Sequence, residues 1–228
     1  MKNKTLFSWL VACTCAITVA GASLLTSHAA DSEEPSSPVP FQLQSAMTPN
    51  PLELGRGVNV LGYDPIWNEF ERRRFQENFF PMIRAAGFDH VRLNLHPFRH
   101  MTETEDGIQL KESWYTTLDW IVNNALRNDL KIILDLHEFQ ILSKNPEENK
   151  TKFLAFWEAM SDKFSGYSNQ VVFEILNEPN GELDATLWEV YYKEALAIIR
   201  KYNPERPVII GTTHWNNIEK LDTLNLPE

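Results

Sequence analysis

Val171-Val172-Phe173-Glu174-Ile175-Leu176-Asn177-Glu178-Pro179 has an apolar run of strand length ending in an amide, a carboxylate and a proline. β-Branched and aromatic residues favour a buried strand. The chain leaves that strand through Asn177 and Glu178, and Pro179 restricts the turn that aims the carboxylate. A carboxylate at the mouth of an apolar strand loses water, and desolvation raises its pKa towards that of a general acid. Read alone, the segment also fits a polar loop after a strand.

Outward from this run, the same unit recurs. Candidate strands are Gly57–Val60, His90–Leu95, Lys131–Leu136, Val171–Leu176 and Pro207–Gly211, their starts about 33 to 41 residues apart. Each gap holds a helical stripe. Phe153, Phe156, Trp157, Met160 and Phe164 recur on one helix face, as do Leu118, Ile121, Val122 and Ala125, and Leu187, Tyr191, Ala195 and Ile198. A first helix within Phe70–Ala86 ends at Gly87, with Pro81 kinking it or marking its true start. A β-α-β-α alternation means a parallel sheet covered by helices. An open doubly wound sheet would usually carry a Gly-rich turn after its first strand. Val60-Leu61-Gly62-Tyr63-Asp64-Pro65 has none. Polar residues gather instead at strand C-termini: Asn59, Asn94 and His96, His137 and Glu138, Asn177 and Glu178, and His214. Active sites of (β/α)8 TIM barrels lie there. The expected fold is therefore an α/β TIM barrel of which about the first five βα units are present, over residues 52–228. In Val91–His96 the even positions are polar and the odd ones apolar, so Arg92 needs a carboxylate partner.

Composition narrows the classes of function. The chain has 228 residues, 43% hydrophobic and 23% charged, ordinary values for a globular protein with a sizeable core. A formal net charge of −10 argues against nucleic acid or an anionic membrane as partner. Aromatics reach 11%, with seven tryptophans, which suit core packing and also stacking on sugar rings. Lys2 and Lys4, the apolar run Leu6–Leu25 and Ser27-His28-Ala29 read as a signal peptide over residues 1–29. A membrane anchor and lipidation at Cys13 are the alternatives. Cleavage would take the net charge to −12 and remove both cysteines, Cys13 and Cys15. The mature chain would then have no disulfide and no stable membrane insertion, and would be secreted to an extracellular or periplasmic space. Residues 30–51, rich in Pro, Ser and Glu, read as a disordered linker.

Four segments together carry a family resemblance. Asn177-Glu178-Pro179, Gly55-Arg56-Gly57-Val58-Asn59, Ala86-Gly87-Phe88-Asp89-His90-Val91-Arg92 and Asp135-Leu136-His137-Glu138 resemble, in order and spacing, the strand-end motifs of glycoside hydrolase family 5, the cellulase family. The resemblance implies a retaining hydrolase of β-1,4-linked polysaccharide. It makes Glu178 the general acid/base, Asn177 a ligand of the sugar 2-hydroxyl, and Arg92 and His137 the groups that orient and tune the carboxylates. Asn59, His96 and Trp215 are candidate substrate contacts, Trp215 by stacking. Trp67 fits core packing and sugar stacking equally.

Retention requires a second carboxylate ~5–5.5 Å from the acid, and in the family it comes from the seventh strand. No nucleophile is assigned within these residues, so the chain is expected to be a truncated barrel that is inactive and poorly folded alone. Asp135 and Glu138 are expected to pair with Arg92 or orient His137, and Glu174 to form a buried ion pair. The expected partner is a β-glucan polysaccharide or oligosaccharide. No cofactor and no metal is expected: His96 and His100 are four apart, but no His-Glu-x-x-His is present. A mannanase or other β-glycanase, or a non-catalytic carbohydrate-binding remnant, are the alternative readings. Nothing in the sequence speaks to oligomeric state.

Overall fold

The computed structural model describes residues 52–226. The signal peptide, both cysteines and nearly all of the linker lie outside them.

Among the described residues seven strands and six α-helices follow one another as β1 (Gly57–Val60), α1 (Phe79–Ala85), β2 (His90–Leu95), β3 (Met101–Thr104), β4 (Gly107–Leu110), α2 (Glu112–Arg127), β5 (Lys131–Leu136), α3 (Phe139–Leu142), α4 (Pro146–Lys163), β6 (Val171–Glu174), α5 (Ala185–Tyr202), β7 (Val208–Ile209) and α6 (Thr213–Asn216). The main sheet has the order β1-β2-β5-β6-β7, and every neighbouring pair is parallel. Strand order therefore follows chain order. A doubly wound sheet reverses direction at a switch point. This sheet does not reverse, as expected of the first five strands of a barrel.

The apolar stripes explain the packing. Phe153, Phe156, Trp157 and Met160 on α4 are fully buried, as are Leu118, Ile121, Val122 and Ala125 on α2. They cover the helix-facing strand positions Val91, Leu93, Ile132, Leu134, Val171 and Phe173, which are also fully buried. Pro81 stands in the first turn of α1, where its missing N–H costs nothing. It marks the helix start, and Phe70–Arg72 forms a separate 3₁₀ turn. Gly87 follows α1 at φ +85°, a left-handed cap that a side chain resists. Trp67 belongs to the core. It stacks on Trp114 with ring centroids 5.4 Å apart and donates its indole N–H to the Leu61 carbonyl at 2.8 Å.

Two features differ from the sequence expectation. The fourth strand of the main sheet stops at Glu174 and the fifth is only Val208–Ile209. Past Glu174 the N–H groups of Ile175 and Asn177 still donate to the carbonyls of Ile209 and Leu136 at 3.1 and 2.9 Å, and Glu178 follows directly. The antiparallel hairpin β3–β4 is unanticipated: each strand has only four residues, mostly exposed, with Leu110 the one core residue of the pair and Met101 packed beside it.

Arg206 holds the loop between α4 and β6. It is 2% exposed and donates to the carbonyls of Phe164, Tyr167, Ser168 and Val171 at 2.6–3.1 Å and to Asn203 Oδ1 at 2.9 Å. Burial among carbonyls lowers its pKa to about 10.

Candidate active site

Parallel register assembles the site. Asn94 on β2 lies beside Asp135 on β5, and Asp135 beside Glu174 on β6. One row of three neighbouring strands thus carries an amide and two carboxylates. Arg92, one pleat deeper, reaches up into that row. Its Nε and Nη2 donate to Glu174 Oε2 and Oε1 at 2.6 and 2.7 Å, a bidentate pair. Nη2 also meets Asp135 Oδ2 at 2.9 Å and Asn177 Oδ1 at 2.9 Å, and Nη1 donates to Asn59 Oδ1 at 3.1 Å. Glu174 and Asp135 are thus the carboxylate partners that Arg92 required. Burial nevertheless raises the Glu174 pKa, because two desolvated carboxylates share one cation.

Asp135 is fully buried and determines the protonation pattern of His137. His137 Nδ1 lies 2.6 Å from Asp135 Oδ2, and Asn94 Nδ2 lies 3.0 Å from both atoms. An amide nitrogen only donates. Were Nδ1 bare, two lone pairs would face each other at 2.6 Å. Nδ1 therefore carries the proton and donates it to Asp135, and Asn94 donates to the same oxygen. This leaves Nε2 as the ring atom outside the network, the tautomer logic of a carboxylate–histidine pair.

The remaining candidates divide. Because arginine only donates, Asn59 and Asn177 both turn their amide oxygens to Arg92 and keep their NH2 groups for another acceptor. Asn177 is held by its backbone N–H on the Leu136 carbonyl at 2.9 Å. Glu178 is half-buried at φ +43°, a left-handed conformation that costs a non-glycine residue about 1–3 kcal/mol. Its negative charge acts on Arg92, as do those of Asp135 and Glu174. Glu138 takes no part in the arginine network. It accepts the Phe98 N–H at 2.8 Å, and burial raises its pKa. His96 is 9% exposed and packs edge-on against His137 with centroids 5.2 Å apart. Burial first, then the nearby His137, lowers its pKa to about 4. Trp215 is 60% exposed in a turn where His214, Trp215 and Asn216 are all left-handed. Its backbone N–H donates to the Pro179 carbonyl at 3.2 Å, which ties this turn to the loop bearing Glu178.

The structure thus brings Asn59, Arg92, His137 and Asn177 into one network at the C-terminal mouth of the sheet, with Glu178 next to Asn177 in the chain. A family model described as Cellulase (glycosyl hydrolase family 5) matches residues 53–228.

The chain belongs to the cellulase family.

Among its relatives is endoglucanase H of Acetivibrio thermocellus, 26% identical over 181 residues, covering 77% of this chain and 20% of that protein. Cellodextrinase A of Ruminococcus flavefaciens is 27% identical over 186 residues, covering 75% and 54%. In structure the chain resembles Thermotoga maritima Cel5A in complex with mannotriose, with TM-score 0.70 and 32% identity over 77% of this chain and 57% of that one. The fold is that of a family 5 TIM barrel, partly present. The chain spans a fifth of endoglucanase H and little more than half of the other two.

Asp135 both meets Arg92 and holds His137, as expected of it, whereas Glu138 bonds neither. Asn94 joins the network from the Arg92 face of β2, donating to Asp135 Oδ2.

Proposed function

We propose that this cellulase-family chain is the N-terminal part of a retaining glycoside hydrolase acting on β-1,4-linked glucan, with Glu178 as general acid/base. The observation that carries the reading is the Arg92 network, which reaches the Asn177 side chain directly beside Glu178. In this role Glu178 protonates the glycosidic oxygen and later activates water. Asn177 donates its free amide N–H to the sugar 2-hydroxyl, and His137 offers Nε2 to the cleft. Asn59, His96 and Trp215 contact substrate.

The nucleophile is assigned to no residue here, because Asp135 and Glu174 are each committed to Arg92. Further support comes from the outer edge of β1, whose pairing is with β2 alone among the described residues. An apolar groove of about 380 Å³ lies beside it, lined by Val58, Val60, Phe75, Phe79, Met82 and Ile83. Strand closure in a barrel would cover such an edge. We therefore place residues 52–228 in the catalytic domain and expect this stretch alone to be inactive. Residues 1–29 act as a secretion signal and 30–51 as a linker.

A β-mannan substrate is the second reading, favoured by the mannotriose complex of Cel5A, which is also known with cellobiose. The test is hydrolysis of soluble β-glucan and β-mannan by a form extended to family length. Activity on neither would overturn the assignment. Turnover of an activated aryl β-cellobioside by residues 30–228, lost in Glu178→Gln, would show that a carboxylate within them acts as nucleophile.

A further inference from the structure

The loop from Glu178 to the N-cap of α5 at Asp184 is held at several points. Gly181 sits at φ +60° over Ser143, so close that a β-carbon there would stand 2.6 Å from the Ser143 carbonyl oxygen. That same oxygen accepts the Glu182 N–H at 2.8 Å. The Asn180 carbonyl accepts the Leu183 N–H at 3.1 Å, and the Pro179 carbonyl accepts the Trp215 N–H at 3.2 Å. These bonds fix the chain from Pro179 to Leu183, but none of them is made to Glu178.

Glu178 is held by a side chain instead. Asn180 Nδ2 donates to the Glu178 carbonyl at 2.7 Å. Turning that amide over would bring two acceptor oxygens together at the same distance, so the nitrogen is the atom that faces the carbonyl. Among the described residues no other hydrogen bond reaches the Glu178 main chain, and none reaches its carboxylate. The Glu178 φ of +43° is one that a side chain disfavours. Such a backbone persists only where its surroundings hold it. The aim of the carboxylate thus depends on the backbone that carries it. That backbone depends in turn on the Asn180 amide, which the anchored turn at Gly181–Leu183 keeps in place.

We propose that Asn180 is a positioning residue for the general acid, its side-chain amide holding Glu178 in the left-handed backbone that sets the direction of its carboxylate. This rests on the reading of Glu178 as acid/base and adds the residue that keeps it aimed. The consequence is selective. Cleavage of an ordinary glycosidic bond needs the proton that Glu178 delivers to the leaving oxygen as the C–O bond breaks. Dinitrophenolate is stable as an anion and leaves without that proton. Loss of the Asn180 bond therefore slows the first kind of substrate and spares the second, whereas general damage to the cleft slows both.

The deciding quantity is kcat/KM, which covers the steps up to departure of the leaving group, measured on soluble β-glucan and on dinitrophenyl β-cellobioside. The protein is the form extended to family length, unsubstituted and as Asn180→Ala, Asn180→Asp and Glu178→Gln. Asn180→Ala and the near-isosteric Asn180→Asp both lack the donor. Each should lower kcat/KM on β-glucan by about tenfold or more, and on the aryl glycoside by less than about threefold. A loss equal on both substrates, or no loss on β-glucan, would overturn the positioning role. Glu178→Gln should show the same selectivity more strongly. If it does not, the acid/base reading fails and the role of Asn180 falls with it, a result distinct from silent Asn180 variants beside a selective Glu178→Gln. A check that needs neither substitution nor turnover is amide exchange in the unsubstituted chain. The Asn180 side-chain N–H on the Glu178 carbonyl should exchange with solvent more slowly than that of exposed Asn68, and equally fast exchange would refute the bond.

Discussion

Replacing Arg92 by methionine should destabilise the fold strongly at neutral pH and much less in mild acid. Arg92 is the counter-charge of two carboxylates whose side chains are 0% and 8% exposed, those of Asp135 and Glu174. At an effective dielectric near 20, each pair at ~4 Å is worth roughly 4 kcal/mol of attraction. The substitution removes both attractions and leaves Asp135 and Glu174, neighbours across β5 and β6, repelling each other. Release of the half-buried guanidinium from its desolvation offsets part of this. Asn59 and Asn177 lose a donor, but exposed Asn59 recovers water. The net loss should match that of breaking a buried pair, about 3–5 kcal/mol. The pH dependence follows from Glu174, whose pKa is already raised by burial and rises further without the arginine. A group with a raised folded pKa contributes stability that is full below its unfolded pKa and is lost as pH rises through the folded one. The deficit should therefore be largest near pH 7.5 and shrink towards pH 5, by up to about 1.4 kcal/mol per pH unit for the one proton taken up. Urea unfolding followed by circular dichroism at both pH values measures this. A deficit under about 1 kcal/mol, or one equal at the two pH values, would refute the view that Arg92 neutralises this pair. Adding Glu174→Leu should recover part of the loss, since an apolar replacement of a buried pair is often tolerated.

Arg206→Met should cost about 3–5 kcal/mol in the same assay, because it leaves several buried carbonyls without donors, whereas a loss under about 1 kcal/mol would mean that water replaces the guanidinium. His96 should remain neutral down to about pH 5, visible as an imidazole resonance that does not titrate with a midpoint near 6.5. Because its folded pKa lies below the unfolded one, it contributes stability above about pH 6.5 that is lost as pH falls towards about 4, and His96→Gln should flatten that part of the stability curve. Asp135→Asn should allow the other His137 tautomer, read from its ring ¹⁵N shifts, and an unchanged Nδ1–H pattern would remove Asp135 as the residue that sets it. In a form extended to family length, Glu178→Gln should lower turnover of β-glucan by at least about 10²-fold with little change in KM, and wild-type turnover would exclude Glu178 as the acid.

Alternation of apolar strands with helical stripes was legible along the chain, because side-chain periodicity reports which face is buried without reference to a partner. Parity gave Arg92 a buried polar face and required a carboxylate for it, and Glu174 was recognised as one end of an ion pair for the same reason. Which carboxylates meet Arg92, and in what geometry, depended on register between strands 82 residues apart in the chain, a property of neighbouring strands that no single stretch encodes. Register also separated Asp135, which joins the network, from Glu138, which turns to the Phe98 amide instead. The short ends of β6 and β7 and the left-handed backbone at Glu178 and at 214–216 arise where the chain leaves the sheet to meet another loop, as Trp215 does at Pro179. Trp67 and Tyr63 show the same division: both are aromatic residues in the loop after β1, and only packing against Trp114 in one case and His96 in the other made the first a core residue and left the second facing water.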